Sequence, residues 1–200
     1  MRQFPPKGFI VSCYLESMRG CEKEFIASVA HLPQVVALRV EGLDNIRWAR
    51  QIAPHQYIIG LVKQMVDGRT FITPEDEFEN IIASGADMVA TEELSLRATP
   101  FMPIMFDLHD ANIIRDELTT LNQLNSQVLL STTYTNKAFW AVEMLKSIHP
   151  NKVNLEGGIE TAEEIQKGFD LGADYVTIGK AINDPPKIID NLTKDVVING

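Results

Sequence analysis

Short runs of β-branched and other apolar residues recur along the whole chain, and amphipathic segments separate most of them. Most runs are continuously apolar rather than alternating, which is typical of parallel strands buried on both faces. The repeated order of strand and helix predicts an α/β fold around a parallel sheet. Eight strands are predicted, at residues 8–13, 35–40, 57–63, 87–92, 103–108, 127–133, 152–158 and 174–180.

The last two predicted strands carry the most informative pattern. The first ends in Glu156 and a Gly-Gly pair, a helix follows, and the second ends in Gly-Lys-Ala. Strand, Gly-Gly, helix, strand and Gly-small is how the final units of a (β/α)8 barrel, or TIM barrel, build a phosphate cup from backbone N–H groups. We therefore predict a phosphate-binding TIM barrel, formed as a single domain by residues 1–200. The residues expected at the cup are Gly157, Gly158, Gly179 and Lys180.

Two connections between the predicted elements are unusually short. Ten residues separate Glu92 from Pro103, and Pro100 is among them, so the outer helix after the fourth strand is expected to be reduced or missing. The turn after Thr133 is also minimal. A missing outer helix would expose an apolar face of the barrel, which a second subunit could cover. A homodimer is therefore one expected assembly.

Composition and charge narrow the range of partners. The 200 residues have a formal net charge of −9, which argues against nucleic acid or an anionic membrane as partner. The beginning of the sequence lacks an apolar signal region, and no apolar stretch is long enough to cross a bilayer. Without an export signal, Cys13 and Cys21 are expected to be reduced thiols of a cytoplasmic protein.

Polar residues at the predicted strand ends are the candidates for a site, because these ends meet at the mouth of a barrel. Lys63 and Glu156 both interrupt apolar runs, and together they could form an acid/base pair for proton transfer beside a carbonyl group. The alternative for each is a charged residue that only caps the end of its strand. The other candidates at strand ends are Ser12, Arg39, Glu92, Asp107 and Thr133.

Several of these segments together resemble one enzyme family. The segments are GFIVSC, ALRVEGLDNIR, IIGLVK, FITP, GADMVA, IMFD, STTYT and LEGGIETAEEIQKGFDLGADYVTIGKAI. Over nearly its whole length the chain resembles the N-acetylmannosamine-6-phosphate 2-epimerases of amino-sugar metabolism and sialic acid catabolism. The resemblance implies an isomerase without metal or other cofactor. It would interconvert N-acetylmannosamine 6-phosphate and N-acetylglucosamine 6-phosphate by removing the C2 proton and returning it to the other face.

The resemblance also implies roles for individual residues. Lys63 matches the catalytic lysine and Glu156 the catalytic carboxylate, while Arg39 and Asp107 match groups that contact the substrate. The other strand-end residues are expected to complete the substrate-binding surface, and the glycines of the last two units to bind phosphate. The expected substrate-binding set is Arg39, Ser12, Asp107, Glu92 and Thr133.

The chain departs from the family pattern at several positions around the sugar. Tyr14 and Glu92 replace other side chains, and Gln64-Met65 follow the lysine in place of the usual pair. Lys180 stands where a small residue is usual. It could add a cation to the phosphate cup, fill the cup, or face solvent. These departures, with the shortened loops, predict a divergent and shortened member whose substrate can differ from that of the family.

Three alternatives remain open from the sequence. The chain could be another barrel isomerase or lyase acting on a small phosphorylated compound, with Lys63 as base or Schiff-base amine. It could also be an inactive barrel that binds sugar phosphates or serves as an interaction protein. Asp107, His109 and Asp110 raise a metal site as a third alternative. The remaining histidines lie away from strand ends, so we expect no metal there.

Overall fold

Eight parallel strands close into a barrel in the computed structural model, which describes residues 2, 3, 5, 7–13, 20–93, 102–108, 128–133, 137–148 and 152–183. Around the barrel the strands follow the order β1-β10-β9-β8-β7-β6-β3-β2, and the remaining two, β4 and β5, form a separate hairpin. The strands are β1 (Gly8–Cys13), β2 (Val35–Glu41), β3 (Tyr57–Leu61), β4 (Lys63–Val66), β5 (Arg69–Ile72), β6 (Met88–Thr91), β7 (Ile104–Asp107), β8 (Val128–Thr133), β9 (Lys152–Glu156) and β10 (Tyr175–Ile178).

Helices follow most of the barrel strands and pack on their outer faces. They are α1 (Glu22–Val29), α2 (Leu43–Ile52), α3 (Phe78–Ala83), α4 (Phe139–Ile148), α5 (Ala162–Asp170) and α6 (Lys180–Asn183), with a 3-10 turn at Glu75–Glu77 before α3. Among the described residues, no helix has the length and apolar character needed to cross a membrane.

The predicted TIM barrel is confirmed, and each of the eight predicted strands is present with its ends within a few residues of the prediction. The reduced outer helix would fall on residues 94–101, and the shortened turn on residues 134–136. Both segments lie outside the described residues. The extent of the domain over residues 1–200 likewise stays a prediction.

The hairpin formed by β4 and β5 was not predicted. The apolar run expected to form one strand over residues 57–63 ends at Leu61, and Lys63 instead begins β4, where it pairs with Ile72. Asp67 and Gly68 make the connection with φ of 50° and 78°. Asp-Gly with two positive φ angles is the favoured two-residue hairpin turn, so the sequence did contain the signal.

Successive side chains of each strand point alternately into the barrel and out toward the helices, so the apolar side chains form two layers. One set of positions fills the barrel interior, and the intervening positions pack between the strands and the helices. In β3, for example, Ile59 faces the interior and Ile58 the helices. The interior set includes Ile10, Ala37, Ile59, Leu61, Met88, Met105, Leu129 and Tyr175.

At the amino-terminal end of the barrel, the backbone of Pro5 contacts side chains of β9 and β10. The carbonyl oxygen of Pro5 accepts hydrogen bonds from the Nζ of Lys152 at 2.9 Å and from the hydroxyl of Tyr175 at 2.6 Å. Lys152 also donates to the Tyr175 hydroxyl oxygen at 2.7 Å. We call Pro5, Lys152 and Tyr175 the floor cluster.

Candidate active site

A charged cluster lies at the carboxyl end of the barrel, where the predicted site residues should meet. Arg39 of β2 contacts Asp107 of β7 through Nη2 and Oδ2 at 2.5 Å. Its other terminal nitrogen lies 3.4 Å from Oε1 of Glu156 in β9. Arg39 and Asp107 are buried, whereas Glu156 is partly exposed. With Ser131, which contacts Glu156, these residues form what we call the mouth cluster.

The electrostatics of the mouth cluster maintain the charge of Arg39. Burial by itself lowers the pKa of the guanidinium, but the carboxylates of Asp107 and Glu156 raise it more, so the pKa of Arg39 is raised overall. The buried Nε of Arg39 has no hydrogen-bond partner among the residues that the structure describes. A buried donor without a partner is costly, so the position of Arg39 lowers the stability of the fold to that extent.

Glu156 is held in place by neighbours on β8. The hydroxyl of Ser131 donates to Oε2 of Glu156 at 3.1 Å, and the backbone N–H of Glu156 donates to Oγ1 of Thr132 at 3.3 Å. One carboxylate oxygen therefore faces Ser131 and the other faces Arg39. Because the side chain is partly exposed, a molecule entering the mouth can reach it.

Lys63 comes shortly after the barrel strand that is opposite the strand of Glu156. It follows β3, and β3 and β9 are separated by four strand steps in either direction around the eight-stranded barrel. The Nζ of Lys63 forms an ion pair with Oε2 of Glu41 at 3.0 Å. In the structure the lysine contacts Glu41, and the glutamate contacts Arg39 and Ser131. Their catalytic roles stay predictions.

At three further predicted residues, the contacts that the structure shows involve the backbone around the mouth. Glu92 accepts the backbone N–H of Ile72 through Oε2 at 3.3 Å, and its own N–H donates to the Ile72 carbonyl at 3.1 Å, which ties the hairpin to β6. The carbonyl of Ser12 accepts from Nδ2 of Asn183 at 3.0 Å. The backbone of Thr133 pairs with that of Glu156. That these residues bind substrate stays a prediction.

The expected phosphate cup corresponds to two adjacent turns, after β9 and after β10. Gly157 and Gly158 have φ of 102° and 69°, a conformation that favours glycine and turns the backbone sharply at the end of β9. Gly179 packs so close to β1 that an added Cβ would lie 3.4 Å from the Cβ of Ser12. Lys180 is exposed at the start of α6, which disfavours the alternative in which it fills the cup. Phosphate binding at these residues stays a prediction.

The metal alternative receives no support from the residues that can be assessed. Asp107 is engaged with Arg39, and within the described part of the chain no group of three or more His, Cys, Asp or Glu side chains could hold an ion. His109 and Asp110 lie outside the described residues.

Two residues of the site were missed from the sequence. Glu41 is the ion-pair partner of Lys63, and Asn154 contacts Ser131 from within the barrel at 2.8 Å. The sequence contained a signal for both residues. Glu41 lies two residues after Arg39 on one strand, and Asn154 lies two residues before Glu156 on another. Positions two apart on a strand point to the same face.

Comparison with known proteins gives one consistent result. No family model matches the chain. A protein named "Putative N-acetylmannosamine-6-phosphate 2-epimerase" from Clostridium perfringens strain SM101 is 28% identical, over 92% of this chain and 94% of the relative. A protein of the same name from Proteus mirabilis is also 28% identical, over 88% of this chain and 84% of the relative.

Solved structures agree on the fold. The N-acetylmannosamine-6-phosphate 2-epimerase from Clostridium perfringens superimposes with a TM-score of 0.77 at 21% identity, covering 94% of this chain and 93% of that one. Orotidine 5'-phosphate decarboxylase from Pyrococcus horikoshii gives a TM-score of 0.65 at 16% identity, covering 92% of this chain. The resemblance noted in the sequence is confirmed: the chain is similar over about nine-tenths of its length to proteins named N-acetylmannosamine-6-phosphate 2-epimerase, and it shares their fold.

Proposed function

We propose that this protein is a sugar-phosphate 2-epimerase that interconverts N-acetylmannosamine 6-phosphate and N-acetylglucosamine 6-phosphate. Relatives that bear this name match about nine-tenths of the chain, and the shared barrel has charged residues at the mouth where enzymes of this fold act. The proposal includes a mechanism in which protons are exchanged at C2 of the open-chain sugar.

The opposite placement of Lys63 and Glu156 is the observation that carries the mechanism. Inverting a carbon centre requires that a proton leave from one face and return to the other. Glu156 ends β9, and Lys63 follows β3, the strand opposite β9 in the barrel, so the two groups can reach opposite faces of a carbon held between them. A pair of groups on adjacent strands would favour the same face.

Glu156 is assigned as the base in one direction of the reaction. Its carboxylate takes the C2 proton, and the electron pair of the C–H bond moves into the C1–C2 bond while the C1 carbonyl oxygen becomes negative. Arg39 lies 3.4 Å from Glu156, and its positive charge is assigned to stabilise that oxygen. A fixed cation already in place stabilises the enolate without rearrangement of the site.

Lys63 is assigned as the acid that completes the inversion. Its ammonium, held by Glu41, gives a proton to C2 from the other face, and the electron pair returns to rebuild the C1 carbonyl. Glu156 then carries a proton that Lys63 has lost, and exchange with solvent restores both groups. In the reverse direction the two residues exchange roles.

The phosphate of the substrate is assigned to the glycine turns. The backbone at Gly157, Gly158 and Gly179 lies beside Glu156 and bears no side chain that would keep a phosphate away. Backbone N–H groups in such turns bind anions, and the exposed Lys180 can add a positive charge near them. Local positive groups matter here because the whole chain has a net charge of −9.

The proposal is tested by incubating the purified protein with N-acetylmannosamine 6-phosphate in D2O and following C2 by proton NMR. We expect N-acetylglucosamine 6-phosphate to form with deuterium at C2. A protein that binds the substrate, as judged by a raised melting temperature, but incorporates no deuterium would be a sugar-phosphate-binding barrel instead.

The lyase alternative makes a separate prediction. A Schiff base needs the unprotonated amine of Lys63, whereas the structure holds this nitrogen 3.0 Å from the carboxylate of Glu41. We therefore expect borohydride to trap no substrate adduct on Lys63. A trapped adduct identified by mass spectrometry would select the lyase.

We further propose a homodimer in the cytoplasm. Free thiols support a reducing compartment, and both cysteines are unbonded, with Cys13 buried and Cys21 exposed. The apolar side chains of Met65 and Val66 are exposed on the hairpin, and they are candidates for burial at a contact between subunits. Light scattering should give twice the mass of the chain, and a monomer would refute the dimer.

A further inference from the structure

We propose that Asn154 and Thr177 are positioning residues that fix the hydrogen bond from Ser131 to Glu156. The inference rests on the proposed function, since it gives Glu156 its part in proton transfer. It goes beyond the residues assigned above, because neither Asn154 nor Thr177 reaches the mouth.

The three side chains form an unbroken chain of hydrogen bonds inside the barrel. The hydroxyl of Thr177 donates to Oδ1 of Asn154 at 3.0 Å, and Nδ2 of Asn154 donates to Oγ of Ser131 at 2.8 Å. Ser131 then donates to Oε2 of Glu156 at 3.1 Å. Asn154 and Ser131 are fully buried and Thr177 is 3% exposed, so water does not compete for these bonds.

The donor and acceptor groups of these side chains fix the direction of the hydrogen bonds. When Thr177 donates to the amide oxygen of Asn154, the amide nitrogen must face Ser131, and an amide nitrogen can only donate. Ser131 therefore receives a proton donor from that side, and its own O–H is left to point at Glu156. The network therefore presents Glu156 with a hydrogen-bond donor, which fixes the orientation of its carboxylate.

Stability alone is a poor explanation for this arrangement. The neighbouring interior positions are apolar, among them Met105 and Leu129, and apolar side chains of suitable size would pack there without desolvating polar groups. The chain of bonds also ends on the one residue of β9 that reaches the mouth. A polar network that leads from the barrel interior to the proposed base serves the orientation of that base.

Removing the Thr177 hydroxyl should allow the other hydrogen bonds of the network to reverse direction. In Thr177→Val the Asn154 amide can turn, and Ser131 can then donate to its oxygen rather than to Glu156. We expect kcat for C2 exchange to fall roughly 10- to 100-fold with little change in KM, as for loss of one hydrogen bond to a charged group. The acidic limb of the pH–rate profile should move to higher pH, because a carboxylate that loses a donor binds a proton more readily.

The experiment compares three variants of the full chain. Thr177→Val removes the donor at nearly constant volume, and Thr177→Ser keeps the hydroxyl and should restore both kcat and the pH profile. Ser84→Ala is the matched control, since Ser84 is also buried but its hydroxyl has no partner among the described residues, and it should leave both unchanged. Equal kcat and equal pH profiles for Thr177→Val and wild type would overturn the inference.

A crystal structure of Thr177→Val supplies a readout that does not depend on turnover. We expect the 3.1 Å contact between Ser131 Oγ and Glu156 Oε2 to be lost in Thr177→Val and kept in Thr177→Ser. A contact retained in both variants refutes the positioning role. Wild-type protein without C2 exchange refutes the proposed function instead, and the crystallographic comparison still decides whether the network orients Glu156.

Discussion

Each end of the barrel holds a basic side chain inside the ring of strands, and the two ends stabilise it in different ways. At the floor, Lys152 donates to the Pro5 carbonyl and to the Tyr175 hydroxyl, both neutral groups of its own chain. At the mouth, Arg39 faces two carboxylates, those of Asp107 and Glu156. Burial lowers the pKa of Lys152, whereas the carboxylates outweigh burial at Arg39 and raise its pKa.

The different partners of Lys152 and Arg39 indicate that the floor cluster is structural, whereas the mouth cluster is suited to binding a ligand. In the floor cluster, Lys152 and Tyr175 both donate to the backbone carbonyl of Pro5, so these polar groups are satisfied by the protein itself. The mouth cluster retains a buried Arg39 Nε without a partner among the described residues, next to a partly exposed Glu156. Changes at the mouth should therefore impair turnover, whether or not they lower stability, whereas changes at the floor should lower stability and leave turnover intact.

The largest effect is expected for Glu156→Gln, which breaks the proposed function of the mouth. The amide can still accept from Ser131 but cannot take the C2 proton, so epimerisation should fall about a thousandfold. The melting temperature should change little, because the shape is kept. Epimerisation is measured by coupled assay or NMR, and activity within tenfold of wild type would show that Glu156 is not the base.

A second prediction separates stability from turnover within the mouth cluster. Arg39→Met leaves the buried Asp107 carboxylate without its cation and should lower the free energy of unfolding by about 3–5 kcal/mol. The double variant Arg39→Met/Asp107→Leu should recover most of that loss, since an apolar pair replaces the ion pair, but should stay inactive. Urea unfolding and the exchange assay measure the two quantities, and an active double variant would contradict the role of Arg39.

Tyr175→Phe tests the floor cluster with a smaller expected effect. It removes one hydroxyl that donates to Pro5 and accepts from Lys152, while Lys152 keeps its own bond to Pro5. The free energy of unfolding should fall by about 1–2 kcal/mol, and kcat and KM should stay unchanged. A variant with full stability and altered kcat would reverse the assignment of the two ends.

The smallest effect concerns pH. Burial is the main cause that lowers the folded-state pKa of Lys152 below its ordinary value of 10.5, with Asp174 acting in the other direction. Between the two pKa values the unfolded chain binds more protons, so the contribution of Lys152 to stability rises as pH increases through that window and is lost as pH falls. Comparing urea unfolding of wild type and Lys152→Met at about pH 8 and about pH 10 isolates it. The free energy of unfolding of wild type, relative to that of Lys152→Met, should be larger at the higher pH.

The sequence predicted the barrel because continuous apolar runs and glycine turns are local signals. It also placed Arg39, Asp107 and Glu156 at strand ends that converge, and the structure brings these three together. It did not predict their partners. Which side chains pair between neighbouring strands depends on the register of the strands and on side-chain reach, so the ion pair of Lys63 with Glu41 was not predicted from the sequence.

The hairpin and the buried hydrogen-bond network were missed from the sequence for different reasons. The Asp67-Gly68 turn was a recognisable local signal that the continuous run before it concealed. Asn154 gave a weaker signal, since a single polar residue in a buried strand has many possible partners. Only the alternation of faces, which places it under Glu156 and beside Ser131, reveals its contacts.

The central claim is that Lys63 and Glu156 act on opposite faces of one carbon, and half-reactions in D2O test it most directly. Each epimer is supplied separately to Lys63→Met and to Glu156→Gln, and deuterium at C2 of the recovered substrate is measured by NMR. The account predicts that each variant exchanges the C2 proton of one epimer only, that the two variants exchange different epimers, and that neither forms product. Exchange of the same epimer by both variants would contradict it.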